Sequence, residues 1–457
     1  MVQPFVGLCI LLWIGHWLRM RLQLFQKLYL PSCVIGGLIG LIIIQLLLSY
    51  GNPQIIELVN TWTLGWGKIP GFLINIVFAC LFLGVALPKI STLWHRAGPQ
   101  LAYGQIVAWG QYTVGIGLTL ILLTPLFGVP HMFGAIVEIG FEGGHGTAGG
   151  MAPVFESLGY AEGKDFALAS ATVGIMSAII IGMILVNWAA RKGYVKHTPR
   201  VVDATSNSVF DTEERPSAGK LTISADAIES FTLHVVIVGI AIFLGWLGKQ
   251  ALLGMDTMIG NKTFHVVAKS FPLFPLCMIG GLIVQLCEDR FDKHKLIDHG
   301  LTRRIQNTAL DFLVVAAIAM INIKTIVPAL TPFFILVIAG ISWNLFCILF
   351  LARRLLPDAW FERSIAEMGQ SMGVTATGLL LLRVVDPEYE TPAADAFASK
   401  QLLHEPVMGG GLWTSSAVPL LAAPALGGLG GVPVFLITVG AIVFWFIISF
   451  TVFKKRA

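Results

Sequence analysis

Charged residues are scarce in this chain. Asp, Glu, Lys and Arg make up 12% of its 457 residues, whereas soluble domains contain about 25%. Hydrophobic residues make up 56%, and the mean hydropathy is +0.79. The formal net charge of +4 is small, so no basic surface of the kind that binds nucleic acid is expected. The composition excludes an ordinary water-soluble domain and predicts a chain that crosses a lipid bilayer many times.

Cysteine is scarce too, and two motifs expected of intramembrane hydrolases are missing. The six cysteines lie in or beside apolar runs and form no C-x-x-C pair, which excludes a disulfide framework and a zinc site. We therefore expect no tightly bound transition metal and no organic cofactor. There is no Gly-x-Ser-Gly motif, and His404-Glu405-Pro406 does not complete a His-Glu-x-x-His motif. These absences argue against an intramembrane hydrolase, so we predict that the protein is not an enzyme.

Apolar runs dominate what is present. Eleven are long enough to cross a bilayer, at about 2–18, 33–50, 70–87, 101–126, 165–190, 228–247, 271–287, 309–328, 331–351, 401–424 and 432–453. Two further segments, at about 130–158 and 360–385, are broken by glycines and polar residues. We predict that each of these two segments is a re-entrant hairpin.

The chain also repeats itself. Residues 31–39 recur almost unchanged at 275–283, an offset of 244, and Thr147 in the first broken segment matches Thr375 in the second, an offset of 228. Each half then reads as four helices, a broken segment and a fifth helix. An odd number of crossings gives the halves opposite orientations, and inverted repeats of this kind are typical of secondary transporters.

The predicted fold is an all-α polytopic membrane protein. It contains two inverted repeats of five transmembrane helices, each with a re-entrant hairpin, and an additional C-terminal helix. The predicted boundaries are 1–192 for the first repeat, 193–227 for a polar cytoplasmic linker, 228–424 for the second repeat, and 425–457 for the extra helix with its basic tail.

Lys and Arg positions predict the orientation of the chain. If the N-terminus is outside and every run crosses once, the inner segments hold 24 of the 30 Lys and Arg residues. Cytoplasmic loops carry such an excess of positive charge. We therefore predict an external N-terminus and a cytoplasmic C-terminus.

The first broken segment is rich in glycine around one histidine, and reads Glu142-Gly143-Gly144-His145-Gly146-Thr147. Glycines let the backbone turn and leave N–H and C=O groups free for a ligand. We predict that residues 143–147 bind substrate and that Glu142 balances a coupling cation. A glycine-rich external loop is the alternative. For His145, a structural hydrogen-bonding role is the alternative to binding a substrate carboxylate or sensing protons. Glu138 is a second candidate for balancing a cation, although a cap near the surface is the favoured interpretation.

The second broken segment supplies uncharged polar groups. The candidate substrate-binding residues are Gln370, Ser371, Gly373, Thr375 and Thr377, because hydroxyl and amide groups suit an amino acid without the full desolvation cost of a buried charge. The alternative is a helix that uses small residues for close packing.

Two polar residues near the eighth apolar run are further candidates for ion coupling. Asp311 is expected at the inner start of that helix, where stabilisation of the helix start and ion coordination are equally good interpretations. Asn322 is expected deeper in the same helix, along the transport pathway.

The broken segments resemble those of the bacterial sodium/glutamate symporter family, whose members carry a Gly-Gly-His-Gly-Thr stretch in the first hairpin. Residues 143–147 match it, and the second hairpin matches loosely through Gly373, Thr375 and Thr377. The resemblance covers about 1–424. It implies Na⁺-coupled import of L-glutamate across a bacterial inner membrane, with Na⁺ as the coupling ion and a homodimeric assembly.

The sequence leaves rival functions open. A Na⁺-coupled carrier of a different organic anion or amino acid has the same architecture, although the stretch at 143–147 argues against citrate-like and bile-acid-like substrates. A channel fits the hydropathy but needs a continuous polar stripe along a pore, and the sequence has none. Symport of L-glutamate by alternating access is the leading hypothesis.

Cysteine labelling tests the predicted orientation. Single cysteines at Asn207 and Asn52, in a cysteine-free background, are expected to react with impermeant reagents from the inside and the outside respectively. The reason is the charge bias, which makes the linker cytoplasmic and the loop after the second run external. Labelling of both positions from the same face would contradict the inverted-repeat prediction.

Overall fold

The computed structural model describes residues 2–28, 30–85, 90–195, 217–224, 226–387 and 389–453. Every regular element in these ranges is helical, and none of the described residues forms a β-strand. The described part of the chain is therefore all-α, as predicted. Most of the predicted linker, including Asn207, and the basic tail 454–456 lie outside the described residues.

The helices of the first half run from the N-terminus to the polar linker. They are α1 (Val2–Arg21), α2 (Gln23–Lys27), α3 (Ser32–Tyr50), α4 (Pro53–Trp62), α5 (Ile69–Ala79), α6 (Ile90–Leu118), α7 (Thr124–Phe127), α8 (Ile136–Phe141), α9 (Gly144–Gly150), α10 (Ala152–Ser157) and α11 (Gly163–Arg191). A π-helical turn at Thr119–Leu123 joins α6 to α7.

The second half follows a similar order. Its helices are α12 (Ser230–Ile259), α13 (Lys262–Ser270), α14 (Phe274–Phe291), α15 (His299–Ala319), α16 (Ile323–Ile326), α17 (Leu330–Phe346), α18 (Ala352–Leu355), α19 (Trp360–Ser371), α20 (Thr375–Val385), α21 (Ala393–His404), α22 (Leu412–Leu421) and α23 (Gly431–Thr451). A π-helical turn at Cys347–Leu351 joins α17 to α18.

Seven helices in the described part of the chain are long and apolar enough to cross a membrane. They are Val2–Arg21, Ser32–Tyr50, Ala97–Phe127, Gly163–Arg191, Ser230–Ile259, Val327–Leu355 and Gly431–Thr451. The bent pair α13–α14 makes an eighth if it counts as one span. These helices coincide with eight of the predicted apolar runs.

The other three runs differ from the prediction. In the run at 70–87 the helix α5 has only 11 residues, which at 1.5 Å per residue is about half of a bilayer core. The run at 309–328 is shifted, because α15 begins at His299 and ends at Ala319. The run at 401–424 is two short helices, α21 and α22, since glycines at 409–411 interrupt it.

Close helix crossings organise both halves through glycines. A Cβ on Gly15 would lie 2.7 Å from the Gly36 nitrogen, which brings α1 and α3 into backbone contact. Gly245 on α12 meets α14 in the same way, since its Cβ would lie 2.6 Å from the Cys277 nitrogen. The recurring segments at 31–39 and 275–283 supply these contacts. The repeated sequence therefore marks two equivalent crossings.

The two halves also exchange packing partners. The helix α3 packs on α15, and α14 packs on α5. Gly37 of α3 lies against Ile318, where a Cβ would come within 2.7 Å of the isoleucine Cβ. These six helices (α1, α3, α5, α12, α14 and α15) form one packed group.

Two cations counted as loop residues in the orientation prediction are buried. Arg363 is 4% exposed and Lys400 is fully buried. Removing them lowers the inner count from 24 to 22, so the charge bias persists. Both form ion pairs, Arg363 with Asp358 and Lys400 with Glu367.

Filling a crossing glycine tests this packing. Gly245→Leu forces side-chain atoms into the α14 backbone and is expected to destabilise the protein by about 1–3 kcal/mol. The measurement is thermal unfolding of the purified protein in detergent. Gly239→Leu on the same helix is the control, because nothing lies within 4 Å of a Cβ there. Equal melting temperatures for the two variants would contradict the crossing.

Candidate functional site

The first broken segment turns at a glycine that the geometry requires. The helix α8 ends at Phe141 and α9 begins at Gly144, whose φ of +64° disfavours a side chain. A Cβ on Gly144 would lie 2.9 Å from the Val374 Cγ1 atom. The turn of the first segment therefore touches the second segment directly.

The second broken segment has a sharper interruption. The helix α19 ends at Ser371, and α20 begins at Thr375 after Val374, which is extended. No side chain caps the start of α20. The two arms approach closely at Gly369 and Gly378, where a Cβ on Gly369 would lie 2.7 Å from the Gly378 Cα. The small-residue packing that the sequence suggested is thus present together with the break.

A third break separates α21 from α22, and the first segment holds it on both sides. Gly409 and Gly410 have φ values of +66° and +111° in this break. The Gly409 N–H donates to Glu138 Oε1 at 3.2 Å, and the Thr147 hydroxyl donates to the Gly409 carbonyl at 3.1 Å. The first broken segment therefore forms hydrogen bonds with both the N–H and the carbonyl of Gly409.

The three breaks surround one cavity of about 160 Å³. One wall is apolar and comes from α5, the residues after it and α15, through Ile74, Val77, Phe78, Leu81 and Leu310. The opposite wall comes from the breaks, through Glu142, Gly143, Gly146, Thr147, Gln370, Val374, Thr375, Glu405 and Gly409. Among the described residues that line it, two are carboxylates and none is Lys, Arg or His.

The carboxylate of Glu142 is held by a chain of hydrogen bonds. The Trp109 indole can only donate, and it donates to Gln105 Oε1 at 2.9 Å. The Gln105 amide nitrogen therefore faces His404 Nδ1, 3.1 Å away, and acts as the donor. The proton of a neutral His404 then lies on Nε2 and is donated to Glu142 Oε1. Glu142 Oε2 is buried and has no hydrogen-bond partner within the described part of the chain.

A buried ion pair lies behind the second segment. Lys400 Nζ is 2.7 Å from Glu367 Oε1 and donates to Gln370 Oε1 at 3.0 Å. Gln100 donates to the other oxygen of Glu367 at 2.8 Å. The pair and its Gln100 partner link α21, α19 and α6. Position 104 on α6 requires a glycine, since a Cβ there would lie 2.6 Å from Glu367 Oε1.

A comparison with known protein families identifies the family of this chain. Residues 1–390 match the family model described as the sodium/glutamate symporter. The chain belongs to the sodium/glutamate symporter family. No curated protein and no solved structure matches it. As a member of that family it is a multi-pass membrane protein of Na⁺-coupled transport, with Na⁺ as the coupling ion and no other cofactor expected.

Six of the predicted site residues of this symporter surround the cavity. They are Glu142, Gly143, Gly146, Thr147, Gln370 and Thr375. Thr147 and Thr375, which occupy matching positions in the sequence, both reach it. Thr375 donates to Glu405 Oε1 at 3.1 Å and accepts from Gln401 at 2.9 Å.

The remaining hairpin candidates lie behind the cavity wall. His145 is bonded to the Thr172 hydroxyl at 2.9 Å, which is the structural role considered as the alternative. The Ser371 hydroxyl donates to Asn344 Oδ1 at 2.6 Å. Gly144 and Gly373 lie where the two breaks touch, and Thr377 packs behind Gly373.

Three placements differ from the sequence prediction. Asp311 lies in the middle of α15 rather than at its start, is exposed, and does not line the cavity. Asn322 lies beyond the end of α15, where its side chain caps α16 by accepting from the Lys324 N–H. It lines a separate cavity of about 590 Å³. The helix α15 begins before the apolar run, which places Asp311 in its middle, and ends before the run does, which leaves Asn322 beyond it.

Glu138 also differs from its prediction as a cap near the surface. It is fully buried, and accepts hydrogen bonds from the Tyr112 hydroxyl at 2.5 Å and the Thr414 hydroxyl at 2.9 Å. Together with the Gly409 N–H, these donors satisfy both carboxylate oxygens. Glu138 therefore has a structural role, because it connects the first broken segment to α6 and to the third break.

Sequence reasoning missed four ionisable residues at the site. Glu367 was not singled out, Lys400 was counted as a loop charge, and His404 and Glu405 were noted only as part of an incomplete motif. The available signal was their position, because ionisable residues within apolar membrane segments are rare and mark functional pathways. Three of the four also lie beyond residue 390, outside the region that the family model matches.

Removing the lysine tests the ion pair. Lys400→Met leaves Glu367 buried without its cation and is expected to destabilise the symporter by about 3–5 kcal/mol. Adding Glu367→Gln removes the uncompensated charge and should restore most of the lost melting temperature in detergent. Lys192→Met, at an exposed position, is the control. Unchanged melting of Lys400→Met would mean that the pair contributes no ionic stabilisation.

Proposed function

We propose that the protein is a Na⁺-coupled symporter that imports L-glutamate by alternating access. The observation that carries the proposal is a cavity lined by both broken segments, in a chain of the sodium/glutamate symporter family. Interrupted helices that meet at a repeat interface are the usual binding sites of secondary transporters. A Na⁺-coupled carrier of another organic anion or amino acid is the alternative.

Two features of the second segment suit a substrate carboxylate. The start of α20, with Val374 and Thr375 at the cavity, has no side-chain cap and offers the positive end of a helix dipole. Gln370 adds a second donor. Because Lys400 has donors only, it must face the Gln370 oxygen, which leaves the amide N–H₂ group for the cavity.

The charge of the cavity suits a substrate that arrives with cations. Glu142 and Glu405 line it without a cationic neighbour among its described lining residues. The ammonium of an amino acid and a co-transported Na⁺ both offset these carboxylates. Glu142 is accordingly proposed for ion coupling, whereas Asp311 and Asn322 remain candidates only for an ion path outside this cavity.

We further propose two inverted repeats, at 1–192 and 228–424, joined by the linker 193–227 and followed by the extra helix and tail at 425–457. The matched glycine crossings of α1 on α3 and α12 on α14 support this arrangement. So do the π-helical turns at 119–123 and 347–351, because they are 228 residues apart. Thr147 and Thr375 have the same offset.

The two walls of the cavity suggest how access alternates. The apolar wall belongs to the packed group of six helices, whereas the polar wall belongs to the breaks. Movement of one wall against the other would open the cavity to either side of the membrane in turn. We propose that the protein lies in a bacterial inner membrane, with its N-terminus outside and its C-terminus in the cytoplasm. We also propose that it is a homodimer, as the family resemblance implies.

Uptake of labelled L-glutamate into proteoliposomes tests the proposal. We expect accumulation with an inward Na⁺ gradient and none with a proton gradient in Na⁺-free medium. Thr147→Val and Thr375→Val each delete a hydroxyl and leave a buried partner unsatisfied at a cost of about 1–3 kcal/mol. The apparent affinity for glutamate or Na⁺ should therefore fall between about five- and a hundredfold.

Thr451→Val is the matched control, because that hydroxyl bonds only to its own helix at Ile447. Competition by citrate, a bile acid and other amino acids identifies the substrate class. Uptake driven equally well by protons without Na⁺ would contradict the coupling. Wild-type kinetics in both threonine variants at normal expression would contradict the site.

A further inference from the structure

We propose that the break between α21 and α22 holds the coupling Na⁺, between the Glu405 carboxylate and the free oxygen of Glu142. The inference rests on the proposed function and extends it to residues 405–411, beyond the part of the chain that the family model matches. Glu405 has no assigned role in the sequence analysis. The cation site is therefore built jointly by the first broken segment and by this third break.

The charges around the three breaks lead to this pair. Of four glutamates there, Glu138, Glu142 and Glu367 are buried and Glu405 is half-buried, and Lys400 is fully buried. Glu138 is satisfied by three hydrogen-bond donors, and Glu367 by Lys400 and Gln100. Glu142 and Glu405 face the cavity, and neither forms an ion pair with a lysine or arginine in the described part of the chain.

The second oxygen of Glu142 shows where a ligand is missing. Glu142 lines the cavity and is 5% exposed, and its Oε2 atom has no partner in the described residues. An ionised carboxylate oxygen buried without a partner carries a large desolvation cost. A bound cation removes that cost. The His404 proton on the first oxygen fixes the carboxylate so that the second has one orientation.

Glu405 completes the site from the other side. It caps the C-terminal end of α21, where the helix dipole is negative. Its Oε1 atom accepts from Thr375, and it lines the same cavity as Glu142. Ends of interrupted helices with freed oxygens are the usual ligands of Na⁺ in transporters. Carboxylates from two different segments and a helix C-terminus favour Na⁺ over the ammonium of the substrate.

Na⁺-dependent thermal stabilisation, measured without substrate, tests the site. The full-length protein in detergent is titrated with NaCl against choline chloride at constant ionic strength. A ligand that binds the folded state raises the melting temperature with its concentration, so a Na⁺-specific rise is expected for the wild type. In Glu405→Gln the midpoint of that rise should move to at least about tenfold higher Na⁺.

Two further variants frame the result. Glu405→Asp keeps the charge and should retain a Na⁺-specific rise, whereas Glu156→Gln makes the same change at an exposed position and should match the wild type. Glu142→Gln keeps an acceptor for His404 but removes the second charge. Glu142→Gln should therefore weaken the Na⁺ response as Glu405→Gln does. If Glu405→Gln does not fold, Glu142→Gln tests the site instead.

Three outcomes overturn the proposal. The first is no Na⁺-specific rise in the wild type, and the second is an unchanged midpoint in Glu405→Gln. The third is a Glu405→Gln variant that is no longer stabilised by added glutamate but keeps its Na⁺ response. The last outcome would assign the pair to the substrate ammonium. A Glu405-dependent Na⁺ response in a protein that does not take up glutamate would support the site. It would then contradict only the proposed substrate.

Discussion

The structure depends on one constraint, which is that backbone groups freed by a helix break in an apolar interior must find partners within the protein. Three breaks converge here, and the first supplies partners for the third. The carboxylate of Glu138 takes the N–H of Gly409, and the hydroxyl of Thr147 donates to its carbonyl. Without these contacts the break could not lie beside the cavity. The burial of Glu138 follows from the same requirement.

The polar side chains around the breaks form two networks with different tasks. Lys400, Glu367 and Gln370 connect α21 to the second segment and orient an amide toward the cavity. His404, with Gln105 behind it, connects the same helix to Glu142. One short helix thus contacts both broken segments. A displacement of α21 would move the Glu142 carboxylate and the Gln370 amide together, which couples the two broken segments mechanically.

Much of this arrangement follows from the sequence, because glycine clusters in apolar runs and a repeated segment are local patterns. They predicted the helical class and both broken segments. The partners of Glu138 and Lys400 were not predictable in the same way. They lie 26 or more residues away along the chain, and tertiary packing alone brings them together. The positions of Asp311 and Asn322 failed because hydropathy locates a run but not the residue at which a helix ends.

The two π-helical turns have a consequence for how these helices are compared. A π turn is equivalent to one residue inserted in an α-helix, and one residue corresponds to a rotation of about 100° around the axis. A helical wheel drawn straight through 119–123 or 347–351 therefore assigns every later side chain to the wrong side. Thr124, just after the first turn, donates to the Val129 carbonyl at 2.8 Å and closes the chain reversal that leads into the first broken segment. A variant that lacks the extra residue would have the Thr124 hydroxyl rotated away from the Val129 carbonyl.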